Sequence, residues 1–283
     1  RKLKDLAGLQ LPASKRYRVA AEYARLGLYE DAIQEVNRQL EAGPGPPKAH
    51  RFLANLHLVA GNVAKAHWMM HERIGLSTPT WEDLREWGIA YPVDYMKYGH
   101  RYGAKFGVSP FLVQGIMRQE SGFRPAVSSY VGAVGLMQLM PGTANTVSDD
   151  FFDGAYLSRN ELKKPDVNVR LGTAYIRALI GWVDGNVPMA LAGYNAGPAP
   201  LESWFERYGE REIDAWVESI TYEQARGYVR KVYTAYVRYA ALYGGELPTM
   251  EFELPDDFGE WGEVPELKRD RESSKKVSQL DRR

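Results

Sequence analysis

Apolar side chains recur through most of this chain at the three- and four-residue spacing of helices, and strand-like alternation is scarce. Ser109-Pro110 predicts a helix start, a capping hydroxyl followed by proline in the first turn, and Val113, Ile116 and Met117 then form one face. Asn168 opens a second helical segment through Val169, Thr173, Ile176, Leu179, Ile180 and Val183. Pro188 begins a short helix that stops at Asn195-Ala196-Gly197-Pro198. Thr221-Tyr222-Glu223-Gln224 has the form of a capping box heading a long helix through Val229, Val232, Val237 and Ala240. Along it Tyr222, Tyr233, Tyr236 and Tyr243 are spaced as core. The fold class expected is all-α.

The organisation follows from breaks in that pattern. Residues 1–88 read as helical hairpins. Gly27 and Gly61, and likewise Ala32 and Ala66, are 34 residues apart, the period of a tetratricopeptide-type unit, although two ordinary hairpins can match by chance. Gly43-Pro44-Gly45-Pro46-Pro47 separates the two pairs. Residues 89–245 continue as helices, and 246–283 form a tail, acidic and Pro-bearing first, then dense in mixed charge and poorly ordered. The start has neither an initiating Met nor the apolar stretch of a signal peptide, so the chain reads as a processed or trimmed fragment.

Composition narrows the chemistry. The 36 Lys+Arg balance 36 Asp+Glu over 283 residues, which removes the electrostatic case for nucleic acid or an anionic membrane. There is no cysteine, so disulfides, thiolate catalysis and Cys-based zinc sites are excluded. All five histidines (His50, His57, His67, His71, His100) fall in the first hundred residues, so a site further along works without imidazole. Between Arg124 and Asp149 there is no charge, yet Gly132, Gly135, Pro141 and Gly142 break the run too often for a membrane span, and it reads as a buried or cleft-lining loop and helix. Asp149-Asp150-Phe151-Phe152-Asp153-Gly154 fails the calcium-loop template at its third and twelfth positions. No metal and no cofactor is implied.

Carboxylate chemistry remains, and Glu120 is its candidate. It stands at i+7 from Val113 on the stripe that Ile116 and Met117 extend, where an acid is costly unless paired, protonated or facing a cleft. Desolvation raises a carboxyl's pKa and suits it to general-acid work near neutrality. Pairing with Arg118 or Arg124 is the structural alternative.

Four ordered blocks then carry a resemblance. They are Glu120-Ser121-Gly122-Phe123-Arg124-Pro125 with Gly132-Ala133-Val134-Gly135-Leu136-Met137-Gln138-Leu139-Met140-Pro141-Gly142-Thr143-Ala144; Pro165-Asp166-Val167-Asn168; Ala192-Gly193-Tyr194-Asn195-Ala196-Gly197-Pro198; and Arg226-Gly227-Tyr228-Val229. Together they resemble the soluble lytic transglycosylase family, relatives of goose-type lysozyme that cleave the glycan of bacterial peptidoglycan. The resemblance implies a lysozyme-like, mainly helical catalytic domain after the hairpins, an envelope or periplasmic location, and glycan strands as partner, with other cell-wall enzymes as possible associates. It implies Glu120 as the single acid/base and Ser129, Gln138, Met140, Tyr194, Asn195 and Tyr228 as glycan-facing positions. One departure stands out: Gln224 occupies the family's Glu position, with Glu223 one residue earlier. The reaction implied is cleavage of the MurNAc–GlcNAc bond with a 1,6-anhydro end. A goose-lysozyme-like hydrolase, which needs a second carboxylate, and a non-catalytic glycan-binding scaffold are the rival readings.

Overall fold

The computed structural model describes residues 15–74 and 84–261, which fall into two compact units divided between Pro92 and Val93. Among the described residues there are no β-strands, only isolated bridges of Ser128 and Leu139 with Val134, and the fold is all-α as expected.

In the first unit a short 3-10 turn, Lys15–Tyr17, leads into α1 (Arg18–Arg25), α2 (Tyr29–Glu41), α3 (Pro47–Val59), α4 (Val63–Ile74) and α5 (Leu84–Ala90), each packed on the next. Gly27 and Gly61 both turn the chain with positive φ, 77° and 83°, where a side chain would be strained. Ala32 and Ala66, the matching positions in the following helices, are fully buried. Tyr17, Ala24, Val36, Phe52 and Leu56 make the core between α1, α2 and α3.

The second unit holds α6 (Met96–Phe106), α7 (Pro110–Ser121), α8 (Pro141–Phe151), α9 (Arg159–Leu162), α10 (Pro165–Trp182), α11 (Val187–Ala196), α12 (Pro198–Tyr208), α13 (Ile213–Ser219) and α14 (Glu223–Tyr243). The α10 helix is the central one, buried along most of its length and packed on α6, α8 and α11. The α7 and α14 helices meet most extensively, and Gly115 explains how closely. A Cβ there would lie 3.2 Å from the Val232 carbonyl oxygen and 3.4 Å from the Tyr236 nitrogen, so the two backbones approach over a missing side chain. Val113, Ile116 and Met117 are fully buried on α7, each contributing about 1.5–3 kcal/mol by leaving water.

Several local expectations are corrected. Ser109 precedes α7, but its side chain makes no capping hydrogen bond, and proline in the first turn leaves one fewer amide to satisfy. The capping box at Thr221 does not form. The Thr221 hydroxyl instead accepts a 2.9 Å hydrogen bond from Trp204 Nε1, and α14 starts after Tyr222 without a side-chain cap. The helix expected to open at Asn168 begins at Pro165, because Asn168 turns inward rather than capping. Tyr222 and Tyr243 are 56% and 39% exposed, not core; Val229, Val232, Ala235 and Tyr239 line the packed side of α14. The end expected to be poorly ordered lies outside the described residues.

Candidate active site

Glu120 lies in the last turn of α7, which ends as Gly122 adopts a left-handed conformation (φ 56°) with its N–H on the Arg118 carbonyl. The stripe that buries Val113, Ile116 and Met117 therefore continues into a place where packing stops, and the carboxyl opens into a cleft of about 600 Å³. Burial pushes the Glu120 pKa up to about 7, against the smaller lowering effect of the Tyr228 hydroxyl. That hydroxyl acts on the carboxyl although it falls short of a formed hydrogen bond. The arginines named as alternative partners go elsewhere in part: Arg124 Nε donates to the Ser121 carbonyl at 2.8 Å, and Arg118 is buried.

Behind the carboxyl stand three tyrosines. Tyr194 on α11 and Tyr228 on α14 stack with ring centroids 6.5 Å apart, and Tyr175 on α10 packs on Tyr194 at 5.2 Å. Burial and the neighbouring Glu120 charge hold the hydroxyls of Tyr194 and Tyr228 well above the ordinary tyrosine range, and burial pushes Tyr175 to about 12. All three remain neutral donors at any working pH. The Tyr194 hydroxyl donates to the Met137 carbonyl at 2.8 Å, tying α11 to the uncharged loop between α7 and α8.

That loop is braced by one buried amide. Asn168 Nδ2 donates to the Val134 and Leu162 carbonyls at 2.9 Å each, and its Oδ1 accepts from the Met137 N–H at 2.7 Å. Ser129 Oγ accepts from the Ala133 N–H at 3.0 Å. Gln138, with positive φ (47°), donates through Nε2 to the Gly135 carbonyl at 2.8 Å and to the Val127 carbonyl at 3.3 Å. Both side chains therefore serve the loop's own backbone.

Of the sequence-derived site residues, Glu120, Asn195, Gln224 and Tyr228 line the cleft together. Tyr194 stands directly behind them, whereas Ser129, Gln138 and the 42% exposed Met140 are outside this lining. Sequence reasoning missed Gln119, Glu223, Arg226, Gly227, Arg230 and Lys231 as lining residues. The signal was present, because Gly227 and Lys231 share the helical face of Gln224 and Tyr228 at three- and four-residue spacing. Arg226 donates to the Ile220 carbonyl at 2.8 Å, and Arg230 pairs with Glu218. Gly227 has no neighbour within 4 Å of where a Cβ would stand, so its bareness is space in the cleft wall. No group of three or more His, Asp or Glu able to hold a metal occurs among the described residues.

The transglycosylase SLT domain matches residues 97–217. The soluble lytic murein transglycosylase of Escherichia coli K12 is 34% identical over 186 residues, 65% of this chain and 28% of that protein. An inactive Glu-to-Gln mutant of lytic transglycosylase Slt from Pseudomonas aeruginosa superimposes with a TM-score of 0.61 at 29% identity, covering 90% of this chain and 40% of that one. A 70-kDa soluble lytic transglycosylase solved with bulgecin A gives 0.64 at 25% identity, over 89% of this chain and 39% of that one. The chain thus spans well under half the length of these relatives. Its second unit carries the likeness: residues 97–217 match the transglycosylase SLT domain.

Proposed function

We propose that the chain is a peptidoglycan lytic transglycosylase, in which Glu120 acts alone as acid and base on the MurNAc–GlcNAc β-1,4 bond. The observation that carries the reading is a carboxyl held protonated to about pH 7 in a glycan-sized cleft whose lining includes the amides of Gln119, Asn195 and Gln224 and the Tyr228 hydroxyl. Protonated Glu120 donates to the glycosidic oxygen as the C1–O bond breaks, and the substrate's acetamido group shares the positive charge at C1. The carboxylate then removes the proton from the C6 hydroxyl, whose oxygen bonds to C1. The ring closes as a 1,6-anhydro sugar, Glu120 regains its proton, and no water is consumed.

In this reading the stacked Tyr194 and Tyr228 rings close off water behind the acid form, while Asn195 on α11 and Gln224 on α14 offer amides to the sugar. Ser129, Gln138 and Met140 shape the adjoining loop, with the Gln138 oxygen left to accept from substrate. That an Escherichia coli relative is named a murein transglycosylase and that a Glu-to-Gln mutant of the Pseudomonas relative is inactive both support it. The substrate places the protein in the cell envelope, and the helical hairpins of residues 1–88 are a surface on which other cell-wall enzymes can assemble. No helix among the described residues is long and apolar enough to cross a membrane.

Hydrolysis has one observation in its favour: Glu223 lines the same cleft as Glu120. Mass spectrometry of the soluble products from purified peptidoglycan separates the readings. Disaccharide-peptides lighter by one water establish the transglycosylase, products with a reducing end establish hydrolysis, and no release leaves a binding scaffold.

A further inference from the structure

The segment 246–261 belongs to no helix, yet it is fastened to the second unit at several points. The Phe252 carbonyl accepts from the Ile213 N–H at 2.9 Å. The Gly259 N–H donates to the Trp182 carbonyl at 2.8 Å, satisfying one of the open carbonyls at the C-terminal end of α10. A Cβ at Gly259 would lie 3.2 Å from the Gly181 carbonyl oxygen, so a glycine lets the segment settle there. Phe258 packs on Trp182 and Phe205 at 4.6 and 4.5 Å between ring centroids.

These contacts deliver Trp261. Its Nε1 donates to Asp150 Oδ2 at 3.2 Å, and its ring meets Phe151, Trp182 and Tyr175 at 6.3, 5.9 and 6.2 Å. Tyr175 is the connection inward, because its other ring contact is Tyr194, which stacks on Tyr228 beside Glu120. An unbroken series of ring contacts therefore runs from the surface segment to the carboxyl.

We propose that Trp261 is a positioning residue for Glu120: the strap holds Tyr175 against Tyr194 and keeps the Tyr194–Tyr228 layer closed behind the carboxyl. The titratable and polar groups facing Glu120 are Tyr228, Glu223, Gln224, Arg226, Arg230 and Lys231 from α14, Tyr194 and Asn195 from α11, and Gln119 from α7. None belongs to the strap, so Trp261 acts through ring packing and through the water that packing excludes. The proposal rests on Glu120 being the acid.

The test is an NMR titration of the Glu120 side-chain carboxyl in the full 283-residue chain, in parallel with glycan release. Trp261→Ala is expected to lower the midpoint by about one pH unit, as water reaches the carboxyl, and to slow release several-fold. Trp261→Phe restores both, and Phe252→Ala, on the same strap but away from Tyr175, changes neither. If Trp261→Ala does not fold, Trp261→Leu, which leaves part of the indole volume open to water and has no ring to press on Tyr175, carries the same expectation. A midpoint unmoved in a folded variant overturns the proposal, whatever happens to melting temperature or rate. A wild type that releases nothing overturns the assigned activity instead, and the midpoints still decide the role of Trp261.

Discussion

The rings of Tyr194 and Tyr228 lie within 3° of parallel, one carried by α11 and the other by α14, with the Tyr194 hydroxyl fixed to the Met137 carbonyl at 2.8 Å. This pair joins two helices that pack extensively and gives Glu120 a wall that is polar in its atoms and neutral in its charge. Burial against that wall disfavours a carboxylate more than the Tyr228 hydroxyl favours it, and the net effect keeps the Glu120 proton in place to about pH 7.

Replacing Glu120 with Gln is the most direct consequence. Release of soluble products should fall by about 10²–10⁴-fold, the span of a general acid's contribution. Binding to glycan strands, followed by co-sedimentation, should persist, because the amide keeps the shape of the carboxyl. Undiminished release by E120Q would remove Glu120 from the chemistry.

The pH dependence has a definite sign. With the Glu120 pKa at about 7, the donating form is full below that value and is lost as pH rises through it, so initial rates should decline on the alkaline side. Stability moves the same way. The folded carboxyl holds its proton more tightly than the unfolded one, so the stabilising contribution is complete below the ordinary Glu value of 4.5 and is lost as pH climbs toward about 7. Denaturant titrations at several pH values should show that slope in the wild type and a reduced one in E120Q.

Tyr228→Phe removes the one hydroxyl that lowers the Glu120 value. The alkaline limb of the rate profile should shift upward while the maximal rate drops several-fold. A limb that shifts downward would mean that the hydroxyl favours the protonated carboxyl rather than the carboxylate.

Asn168→Ala should be the most damaging of the substitutions outside the cleft. It leaves the Met137 N–H without its partner in a buried place and takes one donor from each of the Val134 and Leu162 carbonyls, the former still accepting from the Leu139 N–H. A loss of about 2–4 kcal/mol is expected in chemical unfolding. Asn168→Asp should fall between, since it keeps an acceptor and loses the donors.

Helix positions and the catalytic candidate were legible because both are written as spacing. Val113, Ile116 and Met117 declare the buried face of α7, and Glu120 at the next turn marks where that face meets a cavity. What stayed hidden depends on tertiary partners. Thr221 reads as a cap, but Trp204 claims its hydroxyl; Asn168 reads as a helix start, but two backbone groups of the α7–α8 loop and one at the end of α9 claim its amide. Tyr222 and Tyr243 fit the period of a packed face, yet they stand near the two ends of α14, where neighbouring helices no longer cover them. The cationic residues of the cleft were passed over because Arg230 and Lys231 look like an ordinary solvated surface until α14 is seen to form a wall.

Gly227 sits in the interior of the 21-residue α14, where glycine is less favourable than alanine by roughly 1 kcal/mol, and no crowding or positive φ calls for it. An alanine there would tighten the helix and at the same time put a methyl group into the opening that Glu120 faces. At this residue the stability of the helix and the width of the opening pull in opposite directions. Variants recovered by thermal screening alone should accumulate side chains at 227 and lose turnover on intact cell wall before they lose it on short glycans.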